Sequence, residues 1–483
     1  MSTPLLTAAD AAPTIDYAAT GFVIVCASLV LLMTIPGLAL FYGGMTRATS
    51  VLNMMMMSFG AAGVVGVLYV LFGYSMSFGT QDIGGILANP FEKAGLSGTE
   101  GLVNPFGYQG YGHIPELAFV GFQMTFAIIT VALISGAIAD RVKFSTWLVF
   151  SGLWVTLSYF TIAHMVWGGG LLSANEHGLA ARLFGVVDGK AAVVPIDFAG
   201  STVVHINAGM AGLVLALVVG VRHGFGKVPM RPHNVPLTMI GAGLLWFGWF
   251  GFNAGSELAP DSTAALAWLN TSAATVAAII GWLIVERVRD GHATSVGAAS
   301  GIVAGLVAIT PACGALSPVG SMILGVIAGA LSSLAVGLKY RLGYDDSLDV
   351  VGVHLVAGLW GTIGAGLLST STGLFYGQGG RQLLVQLLIA LCSLVISAVV
   401  TLVVALALRA TLGWRIERDA ESAGVDQAEH AESAYDLAVT GGGRLAGALM
   451  HPSTATAATP PTAATTPLTT APTTAPTSRG ARA

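Results

Sequence analysis

Charge is what this chain has least of. Asp, Glu, Lys and Arg make up 9% of its 483 residues, against roughly 25% in a soluble domain. Apolar residues reach 54% and mean hydropathy is +0.78. So few charges cannot cover a water-facing surface, which excludes a soluble globular protein and leaves a polytopic membrane protein. Cysteine is scarce too: Cys26, Cys313 and Cys392 lie in apolar runs without metal-site spacing, so neither a disulfide framework nor a metal centre is expected. No Lys or Arg precedes Arg47, so a leader with a basic n-region is not expected. No intramembrane run of carboxylates exists to pass a bare metal ion or a proton chain.

What is present is a series of apolar stretches. A bilayer core of about 30 Å needs about 20 helical residues. Stretches of that order fall at 20–43, 51–78, 115–138, 145–166, 198–221, 235–256, 262–285, 295–313, 318–338, 350–369 and 382–408, eleven in all. The eighth, 295–313, is Gly-rich. The basic residues between them alternate. Arg47, Arg141 with Lys143, Arg222 with Lys227 and Arg231, Arg287 with Arg289, Lys339 with Arg341, and the run from Arg409 fall on one side; Lys93, Arg182, Lys190 and Arg381 fall on the other. By the positive-inside bias the N-terminus is outside and the C-terminus cytoplasmic.

One pattern is written twice. Asp197 precedes His205 by eight residues in "DFAGSTVVHINAGMAG", and Asp346 precedes His354 by eight in "DDSLDVVGVHLVAGLWG". Glycines follow at matching offsets: Gly209 and Gly212, then Gly358 and Gly361. The fifth span enters from outside and the tenth from inside. A helix rising about 1.5 Å per residue therefore brings the two histidines to the midplane from opposite faces. That is the signature of an inverted repeat, spans 1–5 against 6–10, with an eleventh helix added and a site at the repeat interface. A lone histidine in a membrane helix is commonly satisfied by a neighbouring carbonyl. A matched pair at one depth points to a pathway, since ionisable groups there are costly and pair with each other. Two histidines without a third ligand make a poor zinc site. The glycines let helices approach closely, and Asp197 and Asp346 suit helix N-terminal capping.

Aromatic residues mark one end of the spans: "HMVWGGG" closes the fourth and "WFGFNAGSE" the sixth. Trp167 and Trp249 alone read as interfacial anchors. Ser256 beside aromatic rings could serve a small cation, the ring faces attracting it and the hydroxyl accepting a hydrogen bond. With two imidazoles in an otherwise apolar path, the sequence suits a small neutral molecule.

These stretches together resemble the ammonium transporter (Amt/Mep/Rh) family, nearest its bacterial Amt branch. The matches are "LFYGGMTR", "FQMTFAIIT" with "SGAIADRVKF", "SYFTIAHMVWGGG", "DFAGSTVVHINAG", "WFGFNAGS" and "GVHLVAGLWG", spread in order over residues 30 to 436. The resemblance implies an eleven-helix homotrimer in the cell membrane with a pore through each protomer, no cofactor, and a cytosolic PII-type partner. Carried over by position, Phe126, Trp167 and Ser256 look like an outer ammonium recruitment site. Phe126 and Phe252 look like a stacked gate, Asp197 like the aspartate that supports deprotonation, and His205 with His354 like the twin-histidine pair. Two departures stand out. Ser201 replaces the usual glycine of "DFAGG", and the tail motif reads Gly424-Val425-Asp426 and His430-Ala431-Glu432.

The expected organisation is an extracellular segment at 1–19, a transporter domain at 20–409, a cytosolic region at 410–450 and a disordered Thr/Ala/Pro tail at 451–483. Within the cytosolic region, 414–436 is charged enough to form structure. The leading reading is a transporter that recruits ammonium, removes its proton and conducts ammonia. The rivals are an ammonium sensor, which needs a folded output domain that nothing after Tyr435 suggests, and a neutral-gas (carbon dioxide) channel. An enzyme would need a buried substrate pocket and a nucleophile, and neither is legible. No nucleic-acid partner is expected.

Overall fold

Several of the helices begin where a small polar side chain accepts the first free backbone amides. Asp16 accepts from Ala19 N at 2.9 Å, Asp261 from Thr263 and Ala264, Thr294 from Gly297, and Ser317, just before Pro318, from Gly320. Such caps satisfy donors that a helix start leaves unpaired. In this computed structural model, which describes residues 14–103 and 113–435, the resulting segments are α1 Tyr17–Met45, α2 Val51–Phe78, α3 Glu116–Ile138, α4 Phe144–Val166, α5 Ser201–Val219, α6 Val235–Glu257, α7 Ser262–Asp290, α8 Ser295–Ile309, α9 Pro318–Leu342, α10 Val351–Leu368 and α11 Arg381–Thr411. Ten of these are long and apolar enough to cross a bilayer. The other, α8, is the Gly-rich stretch and has only 15 residues. The protein is thus an all-α multi-pass membrane protein. Apolar side chains such as Phe59, Leu217, Phe247, Ile280, Leu334 and Val403 are exposed on the outside of the bundle, where lipid takes the place of water.

Three expected boundaries shift. Helix α7 runs on to Asp290, α9 to Leu342 and α11 to Thr411, so Arg287, Arg289, Lys339, Arg341 and Arg409 ride on final helical turns instead of loops. Helix C-terminal ends carry partial negative charge, which cations there offset. Two-residue hairpins pair Asp82–Ile83 with Leu87–Ala88, Leu102–Val103 with Ile114–Pro115, and Val186–Val187 with Lys190–Ala191.

The fifth and tenth helices do not start as ordinary α-helix. Their first turns, Ser201–Ile206 and Val351–Val356, are π-helical, and each holds its histidine. The eight-residue spacing from aspartate to histidine therefore includes a non-helical lead-in, with Gly200 at φ 108° before α5. Both lead-ins are held the same way: Asp197 accepts the amides of Gly200, Ser201 and Thr202, and Asp346 those of Val350 and Val351.

The crossing of α5 and α10 matches too. A β-carbon on Gly209 would lie 2.5 Å from the Leu355 nitrogen, and one on Gly358 would lie 3.3 Å from Ile206 Cγ1. Each glycine four residues after one histidine thus meets the residue that follows the other. That reciprocity is what an inverted repeat requires.

Residues 415–430 pack on the bundle end that holds Arg222. Asp426 accepts the Leu52 and Asn53 amides at 3.1 and 2.7 Å, and Glu429 the Phe144 amide at 2.8 Å, so the tail caps α2 and α4. Residues 1–13 of the expected N-terminal segment and 436–483, including the expected disordered tail, lie outside the described residues.

Candidate functional site

A cavity of about 390 Å³ opens at one end of the bundle, and Phe126, Trp167 and Ser256 share its lining. Ser256, in the last turn of α6, donates its hydroxyl hydrogen to the Phe252 carbonyl at 2.8 Å. Its oxygen lone pairs are left to accept from something else. Trp167 follows the end of α4 and donates its indole N–H to the Asp197 carbonyl at 3.0 Å, which fixes the ring plane. The same α4 end is anchored by buried His164, with Nε2 2.9 Å from Asp82 Oδ1 and Nδ1 3.2 Å from the Ser77 carbonyl. Both carboxylate oxygens of Asp197 already accept local groups, the Thr202 hydroxyl among them. Asp197 does not line the cavity; it meets Trp167 there only through its backbone carbonyl.

Below the cavity the path closes. Phe126 and Phe252 stack with centroids 4.1 Å apart and planes 11° apart, both almost wholly buried. Trp167 meets Phe126 edge-on at 6.1 Å. Beneath them the two histidines come together: Nδ1 of His205 lies 3.4 Å from Nδ1 of His354, and the rings are nearly parallel at 16°. One nitrogen must donate and the other accept. Each Nε2 then takes the complementary role, one a bare lone pair and one an N–H. His205 Nε2 is buried and has no hydrogen-bond partner among the described residues.

Every residue expected at the site is therefore brought into this one column, save that Asp197 stands behind it. Two features were not legible as site components. Trp249, expected as an interfacial anchor, is buried instead, stacked on His205 at 5.3 Å with its N–H on Thr310. The correction has a simple cause: Trp249, Phe252 and Ser256 stand at i, i+3 and i+7 and so share one face of α6, a spacing that could have revealed it. The second is an ion pair in the cavity wall, where Lys93 contacts Glu116, whose carboxylate also accepts from the Tyr74 hydroxyl at 2.6 Å. These three positions are spread over the sequence without a motif. Among the described residues no group of three or more His, Cys, Asp and Glu could hold a metal ion.

A sequence profile described as the Ammonium Transporter Family matches residues 21–435. An ammonium transporter of Mycobacterium tuberculosis (strain H37Rv) is 52% identical over 452 residues, covering 89% of this chain and 92% of the relative. One of Bacillus subtilis (strain 168) is 43% identical, covering 86% and 98%. Among solved structures, Candida albicans Mep2 matches with a TM-score of 0.75 at 29% identity, covering 88% of this chain and 94% of that one. A protein described as a sensor Amt matches with 0.75 at 28% identity, covering 86% and 98%.

Proposed function

The chain belongs to the ammonium transporter family, whose relatives are transporters rather than enzymes, and from that premise we propose that it recruits ammonium at the Phe126–Trp167–Ser256 cavity, releases one proton back to the solvent of that open cavity and conducts ammonia past His205 and His354. The observation that carries this reading is the order of groups along one column: an open cavity lined by aromatic rings and a hydroxyl, a closed aromatic stack, then two imidazoles within hydrogen-bond reach of each other.

Ammonium fits the cavity by chemistry. The Phe126 and Trp167 rings attract its charge, and the Ser256 oxygen accepts one of its N–H bonds. Nearby Asp197 adds negative potential without offering a free oxygen. The stack passes no hydrated ion. Ammonia, once formed, is small and uncharged; below the stack it donates to the bare Nε2 of the dyad and accepts from the other. A hydrated cation would lose its shell in that tube without replacement. The cavity faces outside and the tail lies in the cytosol of the cell, as the alternating Lys and Arg suggest. The assembly is a homotrimer with one pore per protomer.

The test is initial uptake of ammonium, methylammonium and potassium into liposomes carrying the purified protein. Ammonium is expected to give saturating uptake and potassium none; equal uptake would sink the specificity. In the same assay Trp167→Leu removes a cation–π contact of roughly 0.5–2 kcal/mol, about two- to thirtyfold in binding. The loss should be greatest at scarce ammonium, and unchanged uptake there would refute recruitment by Trp167.

The tail reading is that residues 414–436 form a cytosolic surface that couples the pores and meets a PII-type protein. Its support is the capping of α2 and α4 by Asp426 and Glu429. Deleting 451–483 should leave transport intact, whereas deleting from 414 should impair it. Equal behaviour of the two truncations in uptake assays would overturn that division.

A further inference from the structure

A second cavity, of about 660 Å³, opens at the Arg222 end, between the α5–α6 connection and the start of the tail. Its charged lining is Arg222, His223, Lys227, Arg415 and Arg418 against one carboxylate, Glu421. Membrane proteins gather cations on one face, so basic residues alone carry no argument here. What matters is which of them are neutralised. Arg222 donates Nε and Nη2 to Asp345, each at 2.9 Å, and Nη1 to Asp140 at 3.0 Å. Burial would raise the Asp345 carboxyl, but this guanidinium holds it below the usual carboxylate range, so the pair is charged and closed. Arg415 is held by Glu421 at 2.5 Å, and the other Glu421 oxygen accepts the His223 amide at 2.7 Å. The single carboxylate is thereby fully engaged.

Two cations are left. The Lys227 ammonium has no hydrogen-bond or acidic partner among the described residues, and the Arg418 guanidinium donates only to His223 Nδ1, at 3.1 Å. An imidazole that accepts at Nδ1 carries its proton on Nε2, so His223 contributes a further free N–H. Lys227 stands on the connecting loop and Arg418 on the tail, with the cavity between them.

We propose that this cavity binds a phosphate-bearing anion whose oxygens bridge Lys227 and Arg418. A guanidinium fork matches phosphate oxygens in pairs, and an ammonium adds a point charge. Cavities of about 300–1,000 Å³ hold small ligands, so there is room for more than one phosphoryl group. A bound anion would join the loop after α5 to the tail segment and so hold the tail on the bundle. The same chemistry is offered by a soluble nucleotide and by a phospholipid headgroup of the adjoining leaflet.

The experiment is calorimetric titration of the full-length protein in detergent with ATP, pyrophosphate and short-chain phosphatidylglycerol. Saturable binding of at least one is expected, weakened at least tenfold in a Lys227→Ala/Arg418→Ala double variant and unchanged in Lys190→Ala at the opposite end. Binding of ATP or pyrophosphate assigns a soluble ligand; binding of phosphatidylglycerol alone assigns a headgroup. Both substituted side chains are exposed, and an unchanged elution volume and melting temperature would verify the fold. Failure of all three probes to bind, or equal binding by the double variant, overturns the proposal.

Discussion

Replacing His205 with glutamate is expected, on the proposed ammonia pathway, to raise potassium uptake well above that of the wild type. The two imidazoles already hydrogen-bond to each other, so they offer a stripped cation little. A carboxylate within about 4 Å of a monovalent ion contributes about 4 kcal/mol at an effective permittivity of about 20, roughly three orders of magnitude in occupancy. His205→Ala and His354→Ala should act differently. Each removes one polar partner worth about 1 kcal/mol net, or about fivefold, and leaves space where the ring stood, so rate or selectivity changes while folding and assembly persist. The measurement is ammonium against potassium uptake in cells lacking their own carriers. Wild-type rate and selectivity in both alanine variants would make the pair merely structural.

Gly209→Leu should prevent the folded protein from accumulating at all. The new β-carbon would sit 2.5 Å from the Leu355 nitrogen and 2.7 Å from its α-carbon, and backbone cannot swing aside as a side chain can. Even Gly209→Ala forces α5 and α10 apart, at an expected cost of about 1–3 kcal/mol, which should appear as a lower melting temperature in detergent. Gly63→Ala supplies the contrast. A β-carbon there meets nothing within 4 Å, so stability should hold or rise. Equal melting temperatures for Gly209→Ala and Gly63→Ala would show that the crossing tolerates more room than the structure gives it.

The helices and the twin histidines were legible because each rests on a pattern within one stretch of chain: apolar length for the spans, and the repeated aspartate–histidine–glycine spacing for the dyad. Phe126 was not legible in that way. One phenylalanine among the apolar residues of α3 carries no local signal, and only the family resemblance picked it out. Trp249 was misjudged because an aromatic near a span end is so often an anchor. The π-helical turns around His205 and His354 had no sequence signature either. They begin where Asp197 and Asp346 accept the incoming amides, and similar turns at Tyr69–Gly73 and Val155–Tyr159 have no such aspartate. Lys93, Glu116 and Tyr74 meet across three separate stretches, beyond the reach of any short motif.

The stack of Phe126 on Phe252 has one more consequence. Protons cross proteins by hopping along files of water, and rings 4.1 Å apart leave no thickness for a water molecule between them. In this conformation the column is therefore an electrical break as well as a steric one. A cell whose bilayer stores energy as a proton gradient could carry many copies of the protein without short-circuiting that store. Closed as they are here, the two rings would thus keep the membrane a working insulator on the proposed pathway.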